Sequence, residues 1–171
     1  MLRAILIGAP GCGKSSVGKA LSRELSTSFE DSDVLIVERE GRSIPEIFEA
    51  VGEPGFRVIE REVVLTALAS NVGVLALGGG SVLDPAVQDA ITKSPATVIL
   101  LRVGLSNVLA RLTAKGERPL VAEDPKKQWL EILARRQPIY EKLATLEIDT
   151  DNKKSHEVAR ELIIQMGLSH D

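Results

Sequence analysis

The sequence predicts a three-layer α/β sandwich in which a five-stranded parallel sheet lies between two layers of helices. Short apolar runs alternate along the chain with segments whose apolar residues recur at helical spacing. The first apolar run, 2–7, leads directly into a glycine-rich stretch and then into a helical segment. A second run, 74–77, is apolar at every position, as is typical of a strand buried on both faces. Strands that alternate with helices in this way form a parallel sheet covered on both faces.

The predicted strands are the short apolar runs, at 2–7, a short run ending at Asp31, 74–77, 97–101 and 146–148. The predicted helices are the segments with helical spacing, from the glycine-rich stretch to about Leu25, 34–40, a helix starting after Ser43, 56–69, 85–91, 105–112, 128–143 and 156–166. Ser43 is placed to cap the third of these helices, and Gly41 to end the second. Residues 52–55 separate two helices, and Pro138 predicts a kink or a break in a late one. The polar residues 113–125 predict a mobile loop.

Length and composition exclude several classes of protein. A chain of 171 residues is expected to form one domain, 1–171. With 44% hydrophobic and 26% charged residues it has the composition of a globular protein, and no apolar run is long enough to cross a bilayer. The N-terminus has no signal-peptide pattern, so we expect a cytoplasmic protein. A net charge of −3 and only 3% aromatic residues argue against nucleic-acid binding.

The glycine-rich stretch GAPGCGKS at 8–15 matches the phosphate-binding pattern G-x-x-x-x-G-K-[ST] of P-loop NTPases at every fixed position. Its backbone N–H groups and the following helix N-terminus would hold nucleotide phosphates. Lys14 would reach the β- and γ-phosphates, and the Ser15 hydroxyl would bind Mg²⁺. The alternative is an ordinary glycine-rich turn between a strand and a helix.

Three features follow the first three predicted strands directly. They are the phosphate loop, the DSD sequence at 31–33 and the triple glycine at 78–80. Ligands of parallel sheets bind at the carboxyl ends of the strands, so we expect these features to share one cleft. One carboxylate of Asp31 and Asp33 could help to hold Mg²⁺ while the other orients an acceptor hydroxyl for in-line attack. Alternatively, one or both cap the helix that follows.

Arginines provide candidates for anion recognition, because a guanidinium matches the oxygens of a carboxylate or a phosphate at two points. Arg57, Arg118 and Arg136 are such candidates, although each, taken singly, is better explained as a solvated surface residue. Arg118 lies in the polar loop, beside Pro119. A flexible loop with an arginine could close over the nucleotide, exclude water and neutralise charge on the transferred group.

Seven segments occur in a characteristic order over essentially the whole chain. They are GAPGCGKSS at 8–16, DSD at 31–33, GRSIPEIF at 41–48, Phe56-Arg57 with Glu60, GGG at 78–80, RPL at 118–120 and RQPIY at 136–140. In these segments the sequence resembles the shikimate kinase family of nucleoside-monophosphate-kinase-like P-loop proteins. GRSIPEIF and the Arg-x-Pro-x-Tyr block carry most of the resemblance, since other P-loop kinases lack them. The resemblance implies phosphoryl transfer from ATP to the 3-hydroxyl of shikimate, a step in the synthesis of chorismate and the aromatic amino acids.

The resemblance also implies roles for individual residues. The nucleotide would be bound by Gly11, Cys12, Gly13, Lys14, Ser15 and Ser16 of the phosphate loop. Arg111 would pack on adenine, and Arg118 would belong to the lid. Ser15 and Asp31 would bind the magnesium ion. The acceptor side would comprise Asp33 at the ring hydroxyls, Arg57 and Arg136 at the carboxylate, and Gly79 and Gly80 in the adjacent turn. Lys14, Asp33 and Arg118 would take part in catalysis. The lid would span about 113–125 and the substrate-binding helical region about 33–61, in a monomer that binds no nucleic acid and no membrane.

The sequence departs from the family pattern at a few positions. Cys12 stands where a small hydroxyl residue or alanine is usual, and Ser16 stands where threonine is common. Neither difference removes a chemical group that the proposed phosphate binding requires. Residues 149–155 contain no proline, so the adenine contacts of that loop stay unassigned.

Three other functions compete with this interpretation. A second small-molecule kinase, such as a gluconate or nucleoside monophosphate kinase, would share the fold, but Phe56-Arg57 and GRSIPEIF argue against it. A GTPase-like switch would need an Asn-Lys-x-Asp signature, which the sequence lacks. An inactive binding module is disfavoured by the intact Lys14, Ser15 and Asp33.

Overall fold

The computed structural model describes residues 1–70, 73–115 and 124–168, with the side chains of 111–115 excluded. The strands are β1 (Ala4–Ile7), β2 (Phe29–Asp31), β3 (Val74–Ala76), β4 (Thr97–Arg102) and β5 (Leu146–Asp149). The helices are α1 (Lys14–Glu24), α2 (Ser32–Glu40), α3 (Ile44–Leu68), α4 (Pro85–Lys93), α5 (Leu105–Lys115), α6 (Pro125–Leu143) and α7 (Ser155–Gln165).

The five strands form one parallel sheet in the order β2-β3-β1-β4-β5. β1 lies at its centre, paired with β3 on one side and β4 on the other. The predicted fold class and the predicted positions of all five strands are therefore confirmed. No helix in the described ranges is long and apolar enough to cross a membrane.

Side chains alternate between the two faces of the sheet, as a pleated strand requires. Ile5 and Ile7 of β1 pack in a core that includes Val64 of α3, Val87 of α4 and Tyr140 of α6. Ala4 and Leu6 pack in a second core, against α1 and α7. Because both faces are buried there, the inner strands β1, β3 and β4 are apolar at nearly every position, whereas the edge strands β2 and β5 carry acidic residues.

The helices between β2 and β3 have a third, small core of their own. It consists of buried Ile36, Ile47, Phe56 and Val63. The predicted cap of α3 is confirmed as a reciprocal pair: the Glu46 N–H donates to Ser43 Oγ, and the Ser43 N–H donates to the Glu46 carboxylate.

The break in α3 is sharper than predicted. Only Gly52 leaves helical geometry, with φ 69° and ψ 177°, in place of a separating segment over 52–55. Gly55 is helical, and Pro54 lies in the first turn after the break, where its missing N–H leaves no helical bond unmade.

Two further boundaries differ from the predictions. α6 begins at Pro125, capped by Asp124, and Pro138 lies inside it, so of the predicted kink or break the break is absent. A short 3₁₀ turn over Ser81–Leu83, which the sequence reasoning missed, follows the triple glycine. The predicted lid, 113–125, overlaps the ends of α5 and α6, and its residues 116–123 lie outside the described ranges.

Candidate active site

The carboxyl ends of β1, β2 and β3 lie side by side, which brings together the three features that follow them. Leu6 of β1 pairs with Ala76 of β3, and Ala76 pairs in turn with Asp31 of β2. Beyond the strands, the Gly78 N–H donates a 2.8 Å hydrogen bond to the fully buried hydroxyl of Ser32. This bond ties the DSD segment to the triple glycine, and the predicted shared cleft is confirmed.

The phosphate loop folds around its own lysine. Lys14 is 8% exposed, and its Nζ donates to the carbonyls of Gly8 at 2.8 Å and Ala9 at 3.1 Å. Gly11 and Gly13 have φ values of 79° and 92°, which glycine adopts at little cost, and Gly13 forms the N-cap of α1. The loop thus holds a cation at the N-terminus of α1, where the helix dipole also favours an anion.

Cys12 is a packed residue of this loop. Its side chain is fully buried, and its Sγ lies 3.5 Å from Lys14 Nζ. A Cβ atom placed on Gly8 would come within 2.8 Å of the same sulfur. The size of residue 12 is therefore limited by the loop backbone.

Asp31 connects the phosphate loop to α2. Its Oδ2 accepts a short hydrogen bond from Ser15 Oγ, and its Oδ1 accepts from the Asp33 N–H at 2.9 Å, which caps α2. One oxygen of this carboxylate therefore caps α2 while the other contacts Ser15 of the phosphate loop. A hydroxyl and a carboxylate side by side are suitable oxygen donors for Mg²⁺, which needs only one or two protein ligands beside phosphates and water. In the described part of the chain, no group of three or more His, Cys, Asp or Glu side chains is placed to hold a metal.

Each glycine of the turn at 78–80 lies against a different functional side chain. A Cβ atom on Gly78 would lie 2.6 Å from Asp33 Oδ1. On Gly79 it would lie 3.0 Å from Arg136 Nη1 and 3.2 Å from the Gly8 carbonyl oxygen, and on Gly80 it would lie 2.6 Å from both Nη atoms of Arg57. The turn therefore brings Asp33, Arg57 and Arg136 together beside the phosphate loop.

Glu60 completes the cluster, and it entered the sequence reasoning only as part of a motif. It is 3% exposed and accepts a 2.6 Å bond from Arg57 Nη1. Burial raises the pKa of Glu60, an effect that nearby Asp33 reinforces and that Arg57 and Arg136 oppose. The spacing of Arg57 and Glu60, three residues apart on a helix, was the available sequence signal. Glu60 fixes one side of the Arg57 guanidinium.

Two aromatic side chains of α6 also reach the site. Tyr140, fully buried, donates from its hydroxyl to the Gly79 carbonyl at 2.6 Å. Trp129, 3% exposed, donates from Nε1 to the Pro10 carbonyl at 3.2 Å. Sequence reasoning assigned a role to neither; that Trp129 is the one tryptophan of the chain was the only signal for it.

The described residues do not cover the whole predicted site. Arg118 and most of the predicted lid lie outside them, as does the side chain of Arg111. The remaining site residues of the prediction lie on the phosphate loop, the first turns of α1 and α2, the glycine turn, α3 and α6.

The phosphate loop follows the central strand of a parallel sheet, and a second cluster of charged side chains lies at the neighbouring strand end. This arrangement defines a P-loop kinase of small molecules. The sequence profile described as shikimate kinase matches residues 10–167. The shikimate kinase of Streptomyces coelicolor is 40% identical over 156 residues, which cover 91% of this chain and 90% of that protein. The protein belongs to the shikimate kinase family, and it is an enzyme that transfers phosphate from ATP to shikimate.

Solved structures agree with this assignment. A shikimate kinase from Acinetobacter baumannii in complex with shikimate is 30% identical, covers 100% of this chain and 97% of its own, and superposes with a TM-score of 0.91. A gluconokinase from Sinorhizobium meliloti covers 97% of this chain and 91% of its own, with a TM-score of 0.64 at 19% identity. That second similarity shows a shared fold, and the rival gluconate kinase interpretation has the weaker support.

Proposed function

We propose that the phosphate loop binds ATP, that the glycine turn binds shikimate, and that the γ-phosphoryl group passes to the 3-hydroxyl, giving shikimate 3-phosphate and ADP. The observation that carries this proposal is the close approach of consecutive glycines at 78–80 to Asp33, Arg136 and Arg57. Gly79 also approaches Gly8 of the phosphate loop, so the two substrates would meet at this turn.

The acceptor side has the charges that a small hydroxy acid requires. Arg57 and Arg136 supply two guanidinium groups for the carboxylate, and charge-assisted pairs of this kind fix orientation as well as affinity. Asp33 would accept a hydrogen bond from a ring hydroxyl and direct it at the γ-phosphorus.

The donor side would be held by Lys14 and the backbone N–H groups of residues 11–16. The Lys14 ammonium donates to the loop carbonyls of Gly8 and Ala9, which hold its positive charge at the loop. Ser15 and Asp31 would hold Mg²⁺, which would neutralise part of the phosphate charge when bound. The roles of Arg111 on adenine and of Arg118 in the lid are further parts of the proposal, as are a monomeric state and a cytoplasmic location.

The test is ADP release measured in magnesium buffer with ATP and one acceptor at a time. We expect shikimate to stimulate release strongly, and gluconate and nucleoside monophosphates to leave it near the background rate. Lys14→Met is the matched control and should abolish the stimulated rate, because the phosphate charge loses its nearest cation. Stimulation by gluconate alone would refute the acceptor assignment, and full activity of Lys14→Met would refute the donor assignment.

A further inference from the structure

Helix α6 is hydrogen-bonded to both halves of the active site. Near its start, the indole N–H of Trp129 donates to the Pro10 carbonyl of the phosphate loop. Near its end, the Tyr140 hydroxyl donates to the Gly79 carbonyl of the glycine turn. Both side chains are buried, with exposed fractions of 3% and 0%, so neither bond competes directly with bulk water.

The spacing of the two donors places them on one face of the helix. Eleven residues make three turns and leave about 20° of rotation, and they span about 16 Å along the axis. Arg136 lies two turns after Trp129, again within about 20° of the same line. One face of α6 therefore presents an indole N–H, a guanidinium and a phenol O–H in a row, toward the phosphate loop and the glycine turn.

The contact at the phosphate loop is well fixed. The Trp129 ring packs with Ala9 and Val108, and partly buried Leu109 and Leu133 lie against this cluster. An indole has a single donor and no acceptor, and proline has a carbonyl but no N–H. The Trp129 bond therefore fills the only hydrogen-bonding group of the indole and holds the one polar backbone group of Pro10.

We propose that Trp129 and Tyr140 are positioning residues, through which α6 fixes the phosphate loop and the glycine turn at a set separation. Trp129 sets the loop backbone for nucleotide binding, and Tyr140 sets the turn that faces Arg57 and Arg136. This inference rests on the assignment of ATP to the loop and of shikimate to the turn. Neither aromatic residue is required to touch a substrate.

The proposal predicts opposite losses of affinity in two variants of the full chain. Calorimetric titration with ADP in magnesium buffer measures binding at the phosphate loop. A separate titration with shikimate measures binding at the glycine turn. Trp129→Phe keeps the ring and loses the N–H, so ADP binding should weaken about fivefold, the usual worth of one hydrogen bond, with shikimate binding changed less than about twofold. Tyr140→Phe should show the reverse. Leu130→Ala, at a 43% exposed neighbour of Trp129, is the matched control and should change neither affinity.

A second measurement removes the N–H of residue 129 and keeps the bicyclic shape of its side chain. Because the chain has one tryptophan, growth on benzothienylalanine replaces that N–H by sulfur and alters no other position. This protein should lose ADP affinity to the same extent as Trp129→Phe.

Two results would overturn the proposal: ADP binding at the wild-type affinity in both forms, or equal losses for ADP and shikimate, as a general loss of stability would give. Failure of the wild-type protein to bind either ligand would instead refute the function proposed above.

Discussion

Alanine at Gly80 tests the role of the glycine turn through a single methyl group. Gly80 has φ −90° and ψ −9°, a turn conformation that is compatible with most residues, so Gly80→Ala adds little backbone strain. The new Cβ would lie 2.6 Å from both Nη atoms of Arg57, where an unstrained contact needs about 3.5 Å. The guanidinium must move by about 1 Å, and the atoms that move are the flexible end of a side chain. The fold should therefore tolerate the change while Arg57 leaves its position.

We expect this displacement of Arg57 to weaken the binding of shikimate and to leave the binding of ATP unchanged. A hydrogen bond to a charged group contributes about 1.5–3 kcal/mol, so the KM for shikimate should rise roughly 10- to 100-fold. Initial rates of ADP release at varied shikimate and at varied ATP measure both constants, and the KM for ATP should stay within about twofold. A KM for ATP that rises as much as that for shikimate would refute the reasoning.

Gly78→Ala is the matched comparison, because it directs the same methyl group at a different side chain. There the Cβ would lie 2.6 Å from Asp33 Oδ1 and 3.3 Å from Glu60 Oε2. Since Asp33 is proposed to orient the reacting hydroxyl, we expect kcat to fall more than the KM for shikimate rises. If kcat and the KM for shikimate changed in the same way in both variants, the separate roles given to Asp33 and Arg57 would be refuted.

Three other substitutions test single groups. Asp33→Asn should lower kcat by about 100-fold or more with an unchanged circular dichroism spectrum, and wild-type rates would reject its role at the acceptor hydroxyl. Arg136→Ala should weaken shikimate binding more than ATP binding in titrations of each ligand, and equal losses would contradict its place on the acceptor side. Glu60 has a folded-state pKa raised above 4.5 by burial, so the free energy of unfolding of the wild type should fall relative to Glu60→Gln as pH rises from about 4.5 through that raised pKa. Urea unfolding at a series of pH values measures this difference, which would be constant if the pKa of Glu60 were not raised.

The phosphate loop and the strand ends were predictable because their information is local. The loop is a run of eight residues between a strand and a helix, and parallel strands must bring their carboxyl ends to one edge. Those two facts predict from the sequence that Asp31, Asp33 and the triple glycine lie beside Lys14. The cap of α3 was equally predictable from the sequence, because Ser43 and Glu46 are three residues apart.

The contacts that join distant segments could not be read in the same way. Tyr140 and Gly79 are 61 residues apart, and Trp129 and Pro10 are 119 apart, so no spacing rule connects them. Glu60 belongs to a sequence motif and lies three residues after Arg57, but neither signal shows that packing buries its carboxylate. The single break at Gly52 was ambiguous because the glycines at 52 and 55 and Pro54 all permit a break, and the packed structure uses one.

The small core between β2 and β3 has a consequence for where the protein opens locally. Ile36, Ile47, Phe56 and Val63 form it apart from the two large cores of the sheet, and local unfolding has its lowest free energy where few apolar contacts are made. Arg57 adjoins this core, with its guanidinium 5.4 Å from the Phe56 ring centre. Opening of this unit would displace Arg57 while β1 and α1 stay packed in the two larger cores.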